Sequence, residues 1–317
     1  MAVETPSSGP DTPTAGDRLR TFGRAIVDHP LGWLAPALVF MAVFRLYPLF
    51  EAGRLSLTDT SLLELQSASK YVGLAQFVRL FQSPEFWGML EITGIYAIAS
   101  VVIHVALALV IALAIDYGVR RRLYGHLATR IAVLLAWVVP GIIIGIIWQL
   151  LLIESRVGII NSLLAPLTSS PIAFLSDPTL ALVSAITAGS WRGTAFAMIM
   201  LYAGLQRVPE DLYQAARIDG AGPLQRFRYV TIPQLKPVIF VTVVLETIYA
   251  LNTFDLIYAL TGGGPGQATE VLALFMYQEG FADYGLGRAA AIAIVMLVIN
   301  LVMTVVYLQV FEIREEL

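Results

Sequence analysis

Arg192 stands alone as a charge in one long apolar stretch, and Glu246, Asn252, Thr253 and Asp255 are the polar groups of the next. Aromatic rings accompany them: Trp191 and Phe196 beside the arginine, and Tyr249, Phe254 and Tyr258 beside the others. Guanidinium, carboxylate, amide and hydroxyl groups bond solute hydroxyls, while aromatic faces cover apolar C–H surfaces. Together they can line a hydrophilic cavity for a hydroxyl-rich solute. A plainer alternative fits the same residues, with Arg192 and Glu246 as a buried ion pair locking two helices and Trp191 as packing. At 1.5 Å per helical residue, Arg192 lies roughly 21 Å from Gln206, Glu246 roughly 15 Å from Lys236, Asn252 roughly 24 Å and Asp255 roughly 28 Å. Arg192 can therefore reach either Glu246 or Asp255.

Other chemistries lack their residues. A nucleotide-binding P-loop needs Gly-Lys-Ser/Thr, and the two lysines, Lys70 and Lys236, follow Ser69 and Leu235. His29, His104 and His126 have no metal-ligand spacing, there is no cysteine, and no G-x-S-x-G elbow is present. His104, inside an apolar stretch, is either a proton relay or a neutral imidazole bonded to a neighbouring helix.

The elements that must position these groups follow from composition. Of 317 residues, 57% are hydrophobic and 14% charged, with a net charge of −3 and a mean hydropathy of +0.75. Soluble domains carry about 25% charged residues, so this balance excludes a soluble enzyme, a disordered chain and a nucleic-acid binder. Six stretches have the roughly 20 apolar residues that a helix needs to cross a bilayer: Leu31–Phe50, Leu90–Ile115, Ile131–Leu152, Leu180–Leu205, Pro237–Leu260 and Ala289–Phe311. The expectation is an all-α, six-span membrane protein. A disordered tail (1–30) precedes the first span (31–50), a loop (51–89) follows it, and the body runs over 90–311 before a short tail (312–317). Thirteen Lys and Arg lie on the side of both termini, including Arg120, Arg121, Arg122, Arg207, Arg217, Arg226 and Arg228; five lie on the other. Cytoplasmic loops hold the excess of positive charge, so both termini are expected inside the cell.

The segment 206–236 on that same side is the most patterned loop. Pro209, Glu210 and Asp211 suit a helix N-terminus. Leu212, Ala215, Ala216 and Asp219 share one narrow face. The Asp219-Gly220-Ala221-Gly222 stretch breaks the helix, and Pro223 starts a second one that Pro233 is expected to end. Two short helices lying across the cytoplasmic face result. Their small Ala215-Ala216 pair allows close approach of a partner surface; the alternative is a connector resting on headgroups.

Glu210, Ala215-Ala216, Asp219-Gly220-Ala221 and Ile232-Pro233 resemble the EAA loop of ABC importer permeases. Trp148, Gly158-Ile-Ile-Asn161, Trp191-Arg-Gly193, Phe254-Asp255 and Thr261-Gly-Gly-Gly-Pro265 extend the resemblance, in order, to carbohydrate permeases of the maltose and glycerol-phosphate type. It covers roughly residues 31–311 and reaches as far as trehalose-importer permeases. It implies the type I ABC importer permease fold and alternating access. The implied partners are a homologous second permease, two ATP-binding subunits, an extracytoplasmic sugar-binding protein, the lipid bilayer and a sugar. ATP would sit on the partner ATPase, with no cofactor or metal on this chain. Glu210, Ala215, Ala216, Asp219, Gly220 and Ala221 would form the helix that enters an ATPase cleft. The family's sugar-contacting positions fall near Gly189, Trp191, Gly193, Phe196, Tyr249, Ala250 and Thr253. Gly189 and Ala250 lack the amides that the maltose relative has there, which implies a different saccharide. An ion-driven carrier using Glu246, Asp255 and His104, or a scaffold without a solute path, are the alternatives from other classes.

Overall fold

The structure is a computed structural model and describes residues 30–64 and 70–310. Of the expected tails, 1–30 and 312–317, all but Pro30 lie outside the described residues, Arg18, Arg20, Arg24 and Arg314 included. The contacts divide the chain into two units after Arg54.

The first unit contributes α1, residues 30–55, whose apolar stretch Trp33–Leu55 is long enough to cross a membrane. A π-turn over Ala42–Leu46 interrupts it, closed by an N–H···O bond from Tyr47 to Ala42. The next residue is Pro48, which has no N–H and would crowd the carbonyl four residues back; widening the turn just before it relieves that crowding.

The second unit is helical throughout, with one isolated bridge, Thr58–Tyr71, among its described residues. After α2 (Ala75–Gln82), Pro84 opens α3 (Pro84–Arg120), an unbroken 37-residue helix that starts six residues earlier than its apolar run. The expected third span is not straight. It is α4 (His126–Val138) followed by α5 (Gly141–Leu151), bent by 102°. Val139, before Pro140, is extended at φ −67°, ψ 127°, the region a following proline enforces.

The short α6 (Ile159–Leu164) precedes α7 (Pro178–Leu205), which begins with Asp177 accepting the Leu180 N–H at 2.8 Å. The α8 helix (Glu210–Ile218) comes next. Pro233 does not end the element after it: α9 runs from Pro223 to Leu251. As before Pro48, a π-turn over Phe227–Thr231 absorbs the proline, with Ile232 donating to Phe227. The expected fifth span, Pro237–Leu260, instead breaks at Asn252–Phe254 before α10 (Asp255–Leu260). Last come α11 (Leu272–Tyr277) and α12 (Leu286–Val310).

Among the described residues, four helices can cross a membrane by length and composition, five if the bent pair is one span. By that measure the expected count of six is not confirmed. The missing one is α7: its 28 residues suffice, but Arg192 and many Gly, Ser and Thr positions dilute its apolarity.

Small residues set the packing. Ala181, Ala185, Ala188, Ala195 and Ala197 of α7 are buried, and α7 packs most extensively on α3. Gly141 and Gly145 of α5 let it lie on α10: a Cβ at 145 would come within 2.7 Å of the Leu256 carbonyl oxygen and one at 141 would overlap the Asp255 carboxylate.

The Gly158–Asn161 motif organises a loop. Gly158 leaves no room for a Cβ beside the Ile153 carbonyl. Asn161 donates to the Ile153 and Ile172 carbonyls at 3.1 Å each and accepts the Ile172 N–H at 2.7 Å. Glu154 accepts bonds of 2.6 Å from the Leu175 and Ser176 N–H groups and the Ser176 hydroxyl. Burial pushes its carboxyl upward, but these bonds outweigh burial and hold it below the usual carboxylate range. Near α11, burial pushes the Glu270 carboxyl up, helped by Glu279, Asp283 and Glu85. Glu279 is likewise raised by burial despite Arg288 at 3.3 Å.

A depressed carboxyl contributes stability above its unfolded value and loses it as pH falls through the folded one. Thermal unfolding of the purified protein is therefore expected to show Glu154→Gln less stable than wild type at neutral pH, by about 1 kcal/mol, with a shallower acid limb. Asn161→Ala, which orphans buried backbone groups, is expected to cost about 2 kcal/mol by the same measurement.

Candidate functional site

The break after α9 and the bend before α5 open a cavity of about 290 Å3 against α3 and α7. Ten expected residues line it: Gly189, Arg192, Gly193, Phe196, Glu246, Tyr249, Ala250, Asn252, Thr253 and Asp255. Trp191 does not. It is exposed on α7 and is not among the residues that line the cavity. Phe254 and Tyr258 also turn away, stacking on each other at 5.4 Å and on Tyr277.

Arg192 is paired with Asp255, its Nη1 standing 3.9 Å from Oδ2; half of each side chain remains exposed to the cavity. Counting residues left this choice open because α9 stops at Leu251, so Asp255 is not at the height that a continuous helix would give it. Asp255 Oδ1 accepts the Leu256 N–H at 2.9 Å. Asn252 donates to the Ile248 carbonyl at 2.7 Å and to Asn300 of α12 at 3.2 Å; Thr253 donates to the Tyr249 carbonyl at 3.1 Å. Phe196 meets Tyr249 edge-on at 5.6 Å, and Trp137 stands 6.3 Å from Phe196.

Glu246 has a different partner. His104 Nδ1 lies 2.6 Å from its Oε2, joining α3 to α9 with both residues buried. A carboxylate at membrane depth requires such a partner. His104 Nε2 and Glu246 Oε1 are buried without a protein hydrogen-bond partner. The imidazole reaches Glu246 past α7 at Gly193, where any Cβ would overlap the ring. Likewise a Cβ at Gly189 would come within 2.5 Å of the Tyr96 hydroxyl. These glycines are thus clearances for side chains of α3.

Tyr96, Trp137 and Gly141 also line the cavity and were not foreseen. Tyr96 lies in an unbroken apolar helix, and Trp137 and Gly141 flank a bend, so no sequence pattern points to them. The wall therefore offers a guanidinium, two carboxylates, hydroxyls, an amide and ring edges, a set able to bond hydroxyls and cover C–H faces.

In the segment 206–236 the expected pair of helices is α8 and the start of α9, with a break between Ile218 and Pro223. Gly220 adopts φ +78°, and bonds from Gly220 to Arg217 and from Ala221 to Ala216 end α8 in the manner of a left-handed glycine cap. Gln225 accepts the Gly222 N–H at 2.7 Å to start α9. Ala215, Ala216, Asp219 and Ala221 follow one another around this turn, and Glu210 opens α8. Tyr213 Oη lies 2.9 Å from Thr231 Oγ1, pinning α8 to the π-turn of α9.

A family model described as the binding-protein-dependent transport system inner membrane component matches residues 105–311. The chain belongs to this family of permeases. It is similar to the trehalose/maltose transport system permease protein MalF of Thermococcus litoralis, 38% identical over 290 residues covering 90% of this chain and 95% of that one. The lactose transport system permease protein LacF of Rhizobium radiobacter is 34% identical, covering 90% and 94%. The solved bacterial ABC transporter that imports the acidic polysaccharide alginate shares the fold at TM-score 0.77 and 21% identity, over 94% of this chain and 99% of that one. The permease is accordingly a multi-pass membrane subunit of the maltose and glycerol-phosphate carbohydrate type, with the type I fold.

Gly193→Ala is expected to lower the permease's thermal stability by about 1–3 kcal/mol, as overpacking does. In a His104→Ala background the same substitution is expected to cost far less, the imidazole being gone. Additive losses in the two backgrounds would show that Gly193 serves another neighbour.

Proposed function

We propose that the permease moves a neutral sugar, a disaccharide such as trehalose, through this cavity by alternating access driven by ATP hydrolysis on a partner. The observation that carries the reading is the cavity itself. It is polar and aromatic, lies where one helix bends and another breaks, and is walled by α3 and α9, which α8 touches through Arg120 and the Tyr213–Thr231 bond. Charge balance supports a neutral solute, since Arg192 already faces Asp255. The family assignment and the sugar permeases among the relatives support the solute class.

In this reading Trp191 lies outside the solute path, Tyr249 and Thr253 contact the sugar, and Arg192, Asp255 and Asn252 hold the wall. The coupling loop 206–236 docks on the ATPase through Ala215, Ala216, Asp219, Gly220 and Ala221, with Glu210 opening the helix that leads into them. The full transporter contains a homologous permease, two ATP-binding subunits and an extracytoplasmic binding protein; this chain binds no ATP or metal. Both termini face the cytoplasm, as the arginine-rich loops require.

Thr253→Leu is expected to raise the half-saturating sugar concentration for uptake about tenfold, the scale of one lost hydrogen bond, without loss of assembly. Gly220→Pro, which forbids φ +78°, is expected to abolish sugar-stimulated ATP hydrolysis with the spans still inserted. Uptake that persists without ATPase subunits and collapses with an ion gradient would reject the reading.

A further inference from the structure

Helix α3 ends on Arg120, where three contacts converge. Nε donates to Asp116 Oδ2 at 2.7 Å, one turn back on the same helix. Nη1 pairs with Glu210 in the first turn of α8. The guanidinium carbon lies 5.3 Å from the centre of the Tyr213 ring. Glu210 and Tyr213 are three residues apart and share one face of α8. Asp116 is fixed in turn by Gln206, whose Nε2 donates to Oδ1 at 3.0 Å from the end of α7.

An exposed ion pair alone contributes little. Here the arginine is anchored by a buried carboxylate and bears on both a charge and a ring, a combination suited to its planar fork. Resting on the reading of α8 as the docking helix, we infer that Arg120 is a positioning residue that carries displacement of α8 into α3. The helix is unbroken, so Arg120 stands roughly 24 Å along its axis from His104 and roughly 36 Å from Tyr96, both on the cavity wall. A second route leads from α8 through the Tyr213–Thr231 bond into α9, which carries Glu246. The two routes end on the two partners of the His104–Glu246 contact, so movement of α8 acts on both sides of the cavity. Glu210 then works through Arg120 within this chain.

The chain has no cysteine, so spin labels at Ala114→Cys and Ile218→Cys, both exposed positions, read the α3–α8 distance in the full-length protein. A narrow distribution that broadens in Arg120→Ala is expected; an unchanged one overturns the inference without reference to any partner. In the transporter assembled with its ATPase, Arg120→Glu is expected to cut sugar-stimulated hydrolysis about tenfold. Adding Glu210→Arg is expected to restore most of it. A swap that restores nothing, beside an active wild type, means that Glu210 acts on another chain and sinks the assignment. A wild-type chain that recruits no ATPase instead defeats the functional reading, and the label pair still decides the clamp.

Discussion

A carboxylate buried in a membrane bundle needs a partner, and much of this architecture follows from how Glu246 obtains one. Its neighbour is His104, on a helix more than a hundred residues earlier, at 2.6 Å. The contact requires α3 and α9 to lie side by side with α7 close against them, and α7 permits it only because residue 193 has no side chain. Burying both groups would be costly if either stood alone. The pair therefore fixes the register of three helices and, with it, one wall of the cavity.

The remaining walls come from interruptions of helical order. Pro140 forces the bend between α4 and α5 by holding Val139 extended. Asn252–Phe254 ends α9 and turns Asp255 toward Arg192. Freed backbone groups at membrane depth are tolerated only where protein or a polar cavity receives them, which places the cavity at these two breaks. The prolines at 48 and 233 had the opposite outcome. Each is preceded by a π-turn and leaves its helix running on.

The loop between α7 and α9 is built as a firm element. Gly220 caps α8, Gln225 starts α9, and Tyr213 and Arg120 tie α8 to two different helices. In the proposed transport cycle a displacement of α8 is passed through side chains to both sides of the cavity.

Composition and hydropathy alone determined that the protein is a helical membrane protein, because a bilayer imposes a length and an apolarity on every span. Part of the loop 206–236 was legible too: the break at 219–222 and the helix-starting Pro223 depend on immediate neighbours, whereas Pro233 did not end its helix because a π-turn absorbs it. The polar residues of α7 and α9 could be picked out as a site because charge in an apolar stretch is conspicuous. Their partners could not. Arg192 had two carboxylates within reach, and only the break after Leu251 gave it Asp255. Tyr96 and Trp137 carry no mark, since an aromatic residue in a span looks the same facing lipid or a cavity. The glycines at 189 and 193 read as possible contacts to solute; they do line the cavity, and no local pattern showed that each also makes room for a side chain of another helix. Such pairings depend on how separate helices lie against one another, and that is decided by tertiary packing over distances no local pattern spans.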